Sequence, residues 1–209
     1  MQLSEKTWKY LRKQYAQKHR HYHTIRHVNA LIATIYDNER LFQCPDAAYL
    51  AAWFHDAVYE VGEAYKDNER LSCAQFLHWI EKEHSEFYES DQGTDKILLT
   101  LKMIGATKGH GFGTIRDIDK LSEDDTNDIG LFLDADLRIL SANEKDLMKF
   151  EENIRKEFSI YPDLVYNQGR KQVLEGFLQR PKIYFSEMGK PWEQQARNNL
   201  QLLINRLGS

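Results

Sequence analysis

The sequence has little of what several classes of protein require. Only 2 of its 209 residues are cysteine, which is too few for a disulfide framework or for a zinc site built from thiolates. The longest uninterrupted apolar run, residues 47–54, is far shorter than the roughly 18–20 residues that cross a bilayer. The formal net charge is only -4 and both signs are mixed along the chain, so no broad basic surface is predicted. We therefore expect neither a membrane nor duplex nucleic acid among its partners.

The length and the aromatic content indicate a folded protein. A chain of 209 residues, 42% hydrophobic and 12% aromatic, can bury a substantial core, and its low net charge argues against disorder. The chain has no repeat and no flexible linker, so we expect one domain over residues 1–209. Residues 1–6 lack the apolar segment of a secretory signal, and we therefore expect a cytoplasmic location.

Most segments between the 4 prolines and 11 glycines have the apolar spacing of helices. Positions 28, 31, 32 and 35, for example, follow the i, i+3, i+4, i+7 pattern of an amphipathic helix. No stretch alternates with period two, so the predicted fold class is all-α, a single-domain bundle of nine helices. The start signals are Ser4, Thr24, Pro45 and, for the seventh helix, a capping box of Ser141 and Glu144.

One long connection, residues 105–123, interrupts the helical pattern. Compact domains rarely carry connections of this length unless the loop is functional or mobile. It contains Lys108 and His110 among several glycines and ends in acidic residues. The glycines do not form a Walker loop, because the Lys-Ser/Thr that would follow them is missing. A lid over a pocket and a solvated surface loop both remain open.

Asp136 is a carboxylate in the middle of an apolar stripe. At 100° per residue it falls between Phe132 and Leu133 on the sixth helix, whereas Asp134 falls on the polar face. A buried carboxylate without a partner is costly, so Asp136 should have one. A metal ion, a salt bridge and a helix-capping role are the alternatives.

His55 and Asp56 lie in the most apolar predicted helix, residues 46–59. Adjacent helical residues are 100° apart with Cα atoms about 3.8 Å apart, so both side chains can reach one ion. A lone buried histidine is usually a hydrogen-bonded core residue, but a histidine next to a carboxylate is harder to explain in that way. If the helix continues, Glu60 lies one turn beyond Asp56, near the same site.

Four of the 8 histidines lie close together in the sequence. His19, His23 and His27 are spaced by four and would share one face of a continuous helix. Because Thr24 is predicted to start a helix, His23 should lie just before it and His27 in its first turn. His19 and His21 are expected on the surface.

In chain order, His27, the His55-Asp56 pair and Asp136 resemble the ligands of the HD superfamily of metal-dependent phosphohydrolases. Longer stretches are also similar to a bacterial-type branch of that family, namely residues 20–27, 53–59, 67–69, 132–137, 161–162, 180–181 and 193–197. The resemblance covers most of the chain. It implies an HD-type helical domain.

The resemblance implies that His27, His55, Asp56 and Asp136 bind a divalent metal, and it selects Asp136 over Asp134. Two imidazoles and two carboxylates suit Mn²⁺, Fe²⁺, Co²⁺, Ni²⁺ or Zn²⁺, and Mg²⁺ is also open. Residues 22–27 further resemble the Tyr-His-Asn-x-x-His stretch of cyclic-nucleotide phosphodiesterases, with a threonine in place of the asparagine. There the first histidine is the general acid and the second a metal ligand.

The expected activity is hydrolysis of a phosphate ester of a nucleotide or another small phosphorylated metabolite, with metal-activated water. By this resemblance His23 would protonate the leaving oxygen. Glu60 or Glu69 would orient the attacking water, although Glu69 also fits the acidic first turn of a helix.

Phosphate binding is assigned to four basic residues, of which the arginines suit bidentate contact, namely Arg20, Arg26, Lys108 and His110. His110 alternatively binds a second metal. A nucleotide-binding sensor with little turnover and an HD-fold di-iron oxygenase are the competing functions. Nucleoside monophosphates, alarmones, cyclic nucleotides and sugar phosphates all fit as ligands, and the sequence predicts no oligomeric state.

Overall fold

The computed structural model describes residues 3–62, 67–115 and 120–207. Within these ranges the chain forms nine α-helices and no strand, which confirms the all-α prediction. No helix in the same ranges combines the length and the apolar character that crossing a membrane requires. The helices are α1 (Glu5–Gln14), α2 (Ile25–Asp37), α3 (Pro45–Phe54), α4 (Asn68–Glu83), α5 (Asp91–Ala106), α6 (Glu123–Asp136), α7 (Glu144–Glu157), α8 (Asp163–Leu178) and α9 (Glu193–Leu207).

Three of the four predicted start signals are confirmed. The Ser4 hydroxyl accepts a hydrogen bond from the Thr7 backbone N–H at the start of α1. The Thr24 hydroxyl accepts one from the Arg26 N–H at the start of α2. Pro45 is the first residue of α3, where its missing N–H costs nothing.

The predicted capping box of Ser141 and Glu144 is wrong. The cap of α7 is Asn143, whose Oδ1 accepts a hydrogen bond from a backbone N–H of the first turn at 3.0 Å. Ser141 instead ends a short 3-10 turn, Leu137–Ser141, that follows α6 directly. Because the chain tightens into this turn before it leaves the helix, α7 starts later than the sequence pattern indicated.

The third helix ends earlier than predicted. Apolar spacing predicted a helix over residues 46–59, but α3 ends at Phe54 and His55 is its C-cap. The Arg20 guanidinium donates hydrogen bonds to the carbonyl oxygens of the next two residues. Since these carbonyls are satisfied by a side chain, the backbone leaves the helix at no cost in unpaired groups.

Helices extend into both ends of the predicted 105–123 connection. α5 continues to Ala106, and α6 begins at Glu123 behind the cap residue Ser122. The acidic run therefore forms the first turn of α6, where negative charge favours the helix dipole. Residues 112–114 form a 3-10 turn, and residues 116–119 lie outside the described part of the chain.

The buried apolar side chains form two clusters. The first is built mainly by α1 to α6, and the second by the Leu137–Ser141 turn with α7, α8 and α9. Trp192 packs against both. α6 runs through the interior, since every residue from Asp128 to Asp136 is buried. A single domain over the whole chain stays a prediction.

Asp128 ties α6 to the start of α3. Its side chain is fully buried, and its two oxygens accept hydrogen bonds from the backbone N–H groups of Gln43 and Cys44 at 2.9 and 2.7 Å. These donors precede α3, where N–H groups lack helical partners. The two helices that lead to His55 and Asp136 are thereby fixed against each other.

We expect Asp128→Ala to lower the free energy of unfolding by about 2 kcal/mol, because two backbone N–H groups lose their acceptor. Urea denaturation followed by far-UV circular dichroism measures the change. Asp124→Ala, at an exposed position in the first turn of the same helix, is the matched control and should cost only the helix-dipole contribution, about 0.3–1 kcal/mol. Similar small losses in both variants would contradict the role given to Asp128.

Candidate metal centre

The four predicted ligands meet where three helices begin or end. His27 lies in the first turn of α2, His55 caps the end of α3 and Asp56 follows it, and Asp136 is the last residue of α6. His27, His55 and Asp136 are 8%, 2% and 8% exposed, and the Asp56 side chain is 16% exposed. Because helices end here, the chain can turn and bring polar side chains into an otherwise apolar interior.

The donor atoms are close enough to share one ion. His27 Nε2 lies 3.0 Å from Asp136 Oδ1 and 3.1 Å from His55 Nε2. His55 Nε2 in turn lies 2.9 Å from Asp56 Oδ2, and the two longer separations in the set are 3.8 and 3.9 Å. Donors at right angles around an ion about 2.1 Å away are about 3.0 Å apart. The cluster of His27, His55 and Asp136 can therefore hold a metal ion, and Asp56 as a fourth ligand stays a prediction.

Hydrogen bonding orients His55 for a cation. Its Nδ1 lies 3.1 Å from the Ala52 carbonyl oxygen, which can only accept, so the proton is assigned to Nδ1. Metal-binding histidines are held in this way through the second ring nitrogen. The Nε2 atoms of His55 and His27 then face each other at 3.1 Å, where only a proton or a metal ion between them stabilises the pair. The donor set thus fits a divalent cation.

The metal-free cluster holds opposite charges close together. Burial alone would lower the pKa of His55, but the Asp56 and Asp136 carboxylates raise it to about 9. Burial alone would raise the pKa of Asp136, but hydrogen bonds from His110 and His27 hold it well below the usual range. Burial alone would also raise the pKa of Asp56, but the imidazoles, His55 foremost, lower it. At neutral pH the cluster therefore keeps a proton that a divalent ion can replace.

Beside the cluster, Glu157 holds His23 in place. Glu157 Oε2 is bonded to His23 Nδ1 at 2.7 Å and accepts from the Tyr59 hydroxyl at 3.0 Å. Its Oε1 accepts from three successive backbone N–H groups, those of residues 21–23. The His23 ring stacks on Tyr59 with centroids 4.2 Å apart, and its centroid lies 5.8 Å from that of His27. The imidazole predicted as a general acid therefore lies beside a predicted metal ligand, and one of its own two nitrogens is held by Glu157.

Sequence reasoning missed Glu157, although a signal for it exists. On the helical wheel of α7 it falls within about 20° of Phe150, on the apolar stripe, which is the same anomaly that singled out Asp136. Burial alone would raise the pKa of Glu157, but the hydrogen bond and the charge of His23 lower it to about 2. Burial alone would lower the pKa of His23, but the Asp56 charge and the Glu157 hydrogen bond raise it.

The turn after α5 reaches the cluster through His110. Its Nε2 lies 3.2 Å from Asp136 Oδ2, while the other oxygen of that carboxylate faces the histidine ligands. Lys108 is exposed in the same turn.

Glu69 is half-buried in the first turn of α4. Burial raises its pKa, while Asp56, Lys108 and His110 are the charges that act on it, so it lies within electrostatic reach of the cluster.

Arg20 is not placed to hold phosphate, which corrects the sequence prediction. Its side chain is buried, and the guanidinium donates to the carbonyl oxygens of His23, Asp56 and Ala57 at 3.3, 2.6 and 3.3 Å. It also donates to the side chain of Gln17 at 2.9 Å. A guanidinium bonded to four protein oxygens fixes the backbone beside the ligands instead.

Two further predicted residues lie at the surface near the ligands in sequence. Arg26 is exposed in the first turn of α2. Glu60 is exposed as well, and because α3 ends early it does not lie one helical turn beyond Asp56. Their predicted roles in phosphate binding and water orientation stay predictions.

The structure corrects two expectations about solvent exposure. Asp134, placed on the polar face of the sixth helix, is fully buried and accepts from Phe185 and Ser186 N–H groups at 2.7 and 2.8 Å, and burial raises its pKa to about 6. The 185–186 segment covers this face of α6, which no local pattern encodes. His19, expected on the surface, is half-buried with Nε2 2.8 Å from the Tyr59 carbonyl oxygen.

Comparison of the chain with protein-family models, with curated proteins and with solved structures finds no match in any of the three. The resemblance to the HD superfamily therefore rests on the residues themselves. The placement of the four predicted ligands in space is a separate observation, because the helical pattern alone did not require them to meet.

We expect His55→Ala and Asp136→Ala to weaken metal binding by more than about 100-fold, beyond the loss typical of changes outside the ligand set. Elemental analysis of the purified proteins and calorimetric titration with Mn²⁺ or Co²⁺ measure the effect. His78→Ala and Asp124→Ala, at exposed positions, are matched controls. Wild-type metal content in folded His55→Ala and Asp136→Ala proteins would contradict the site.

Metal affinity should rise with pH. The raised pKa of His55, about 9, means that metal-free protein carries a proton there at pH 7, and the metal must displace it. Affinity should therefore increase by up to about tenfold per pH unit below pH 9. Calorimetry between pH 6.5 and 8, in buffers of different ionisation enthalpy, should show release of a proton. The His78→Ala control should keep the same slope, and a pH-independent affinity without proton release would disprove the prediction.

Proposed function

We propose that the chain is a divalent-metal-dependent hydrolase of phosphate esters that acts on a nucleotide or another small phosphorylated metabolite. The observation that carries the proposal is the convergence of two imidazoles and two carboxylates at one buried point, with a third imidazole, held by a carboxylate, directly beside them. The resemblance to HD phosphohydrolases supports the same reading. An ion held by the four ligands would supply the electrophile that phosphate-ester hydrolysis needs, and the imidazole beside them would supply the acid.

In this proposal His27, His55, Asp56 and Asp136 hold the ion. A bound divalent cation supplies Lewis-acid chemistry, polarising a phosphoryl oxygen and making water more acidic. The two carboxylates offset its charge. The Ala52 carbonyl keeps the His55 ring in the orientation that ligation requires.

His23 is the proposed general acid. Glu157 occupies its Nδ1, so Nε2 is the nitrogen that can donate a proton to the leaving oxygen. Because its pKa is raised, the His23 ring stays protonated to a higher pH than a free imidazole. The stacking on Tyr59 and the three backbone hydrogen bonds to Glu157 restrict the motion of the ring, so that the proton is held at one place.

The outer residues are proposed to handle water and phosphate. Glu69 is half-buried with a raised pKa, which suits a carboxyl that exchanges a proton with water. Lys108, in the turn after α5, and the exposed Arg26 bring positive charge for the phosphate group, and His110 in the same turn adds a ring that can form hydrogen bonds. The proposed phosphate contacts therefore lie on segments outside the apolar core.

We expect the metal-loaded chain to release inorganic phosphate from members of a panel of nucleotides and sugar phosphates. His23→Gln should selectively impair the substrates whose leaving oxygen must be protonated. On an alkyl phosphate, whose leaving oxygen must be protonated, kcat/KM should fall by about 10²–10⁴. On p-nitrophenyl phosphate the loss should be much smaller, because nitrophenolate leaves without a proton.

His21→Gln is the matched control, since that side chain is exposed two residues away and should leave both substrates unaffected. An equal loss on both substrates would remove His23 from the role of acid. Tight nucleotide binding without product would favour a sensor, and two irons per chain with their optical bands would favour a di-iron oxygenase.

A further inference from the structure

His110 adopts a backbone conformation that its side chain disfavours. Its φ is 46°, and it is the only non-glycine residue with positive φ in the part of the chain that the structure describes. The turn that ends α5 closes around it, with Gly111 N–H donating to the Ala106 carbonyl and His110 N–H to that of Thr107. Glycine is usual at such a position.

The neighbours of His110 show that glycine is common in this turn but is absent from its left-handed position. Both Gly109 and Gly111 are glycines, yet the left-handed position between them carries an imidazole. A strained residue of this kind persists only where its surroundings hold it, and such residues cluster at functional sites. The side chain forms a polar contact from His110 Nε2 to Asp136 Oδ2, at 3.2 Å.

Arg180 holds the strained turn from the other side. Two nitrogens of its guanidinium donate to the carbonyl oxygens of His110 and Gly109, both at 2.6 Å. The guanidinium lies over the Phe177 ring, 4.3 Å from its centroid. Among the described residues it makes no ion pair with a carboxylate, so the carbonyl oxygens of the turn are its principal polar partners.

The backbone around Arg180 is itself fixed. Arg197 donates to the carbonyl oxygens of Leu178 and Arg180 at 3.0 and 2.8 Å, and it pairs with Glu193 at 2.7 Å. Glu193 also accepts from the Ile183 N–H. The backbone that carries the Arg180 side chain is therefore held by side chains of α9, a helix whose apolar face belongs to the second apolar cluster.

We propose that Arg180 is a positioning residue of the metal centre. By holding the turn at residues 109–110, it keeps the His110 imidazole against one oxygen of Asp136 and so presents the other oxygen to the histidine ligands. A ligating carboxylate is commonly held by such an outer hydrogen bond. The inference rests on the metal site of the proposed function but not on its phosphate chemistry.

The test uses Co²⁺, whose visible absorption reports the geometry of its ligands. Arg180→Gln should raise the Co²⁺ dissociation constant about tenfold, within the range typical of outer hydrogen bonds to ligands, and should alter the spectrum. His110→Gly should do the same, because it removes the imidazole that is bonded to Asp136. The double variant should be no weaker than His110→Gly alone, since Arg180 acts through His110.

Two controls separate the effect of the hydrogen bonds from Arg180 to the turn from effects of charge and of general stability. Arg180→Lys keeps the charge but not the forked contact, so it should resemble Arg180→Gln, and it replaces that variant if Arg180→Gln does not fold. Arg155→Gln removes an arginine that also donates to two carbonyl oxygens, those of Phe158 and Tyr161, and should leave the Co²⁺ spectrum unchanged.

Additive losses in the double variant, full Co²⁺ binding by Arg180→Lys, or an unchanged spectrum in Arg180→Gln would each overturn the inference. Failure of the wild-type chain to bind Co²⁺ would overturn it together with the metal site. A chain that binds Co²⁺ and hydrolyses no phosphate ester would contradict only the proposed function, because none of these readouts uses a substrate.

Discussion

Burying Asp56 and Asp136 side by side with two imidazoles is the constraint on which the centre of this protein depends. An ionised carboxylate taken out of water without a partner costs several kcal/mol, and so does an unpaired imidazolium. Here each group is tolerated because the others are present, with His55 2.9 Å from one carboxylate and His27 3.0 Å from the other. The three helices can meet at their ends only if this balance of charge is kept.

The surrounding polar residues share one pattern. Three non-helical segments that carry site residues are each held by a charged side chain from a distant part of the chain. Arg20 binds the carbonyl oxygens after His55, Glu157 binds the N–H groups of residues 21–23, and Arg180 binds the carbonyl oxygens of residues 109–110. Cations hold carbonyl oxygens and the anion holds N–H groups, so the site is placed by backbone contacts as much as by packing.

Periodicity and burial arguments predicted the helices and the inward-facing ligands, because both are local properties. The apolar stripe around Asp136 was sufficient to mark it as unusual, and the structure buries it. Local patterns could not predict where α3 ends, since that depends on Arg20, or that Asp134 is covered by residues 185–186.

Glu157 shows a different kind of omission. It lies on an apolar stripe like Asp136, so the wheel of α7 contained the information, but no partner in sequence drew attention to it. Its contacts to residues 21–23 and to Tyr59 join segments that lie far apart along the chain. Contacts of that range are what a single sequence lacks.

The position of Glu157 and Arg180 along the chain has a consequence for how the site is made. All four predicted ligands lie before residue 137, in the part that builds the first apolar cluster, whereas the side chains that hold His23 and His110 follow in the second. During synthesis from the N-terminus, the ligands leave the ribosome before the groups that aim the outer imidazoles. The residues predicted to bind an ion therefore emerge earlier than those that position the outer imidazoles.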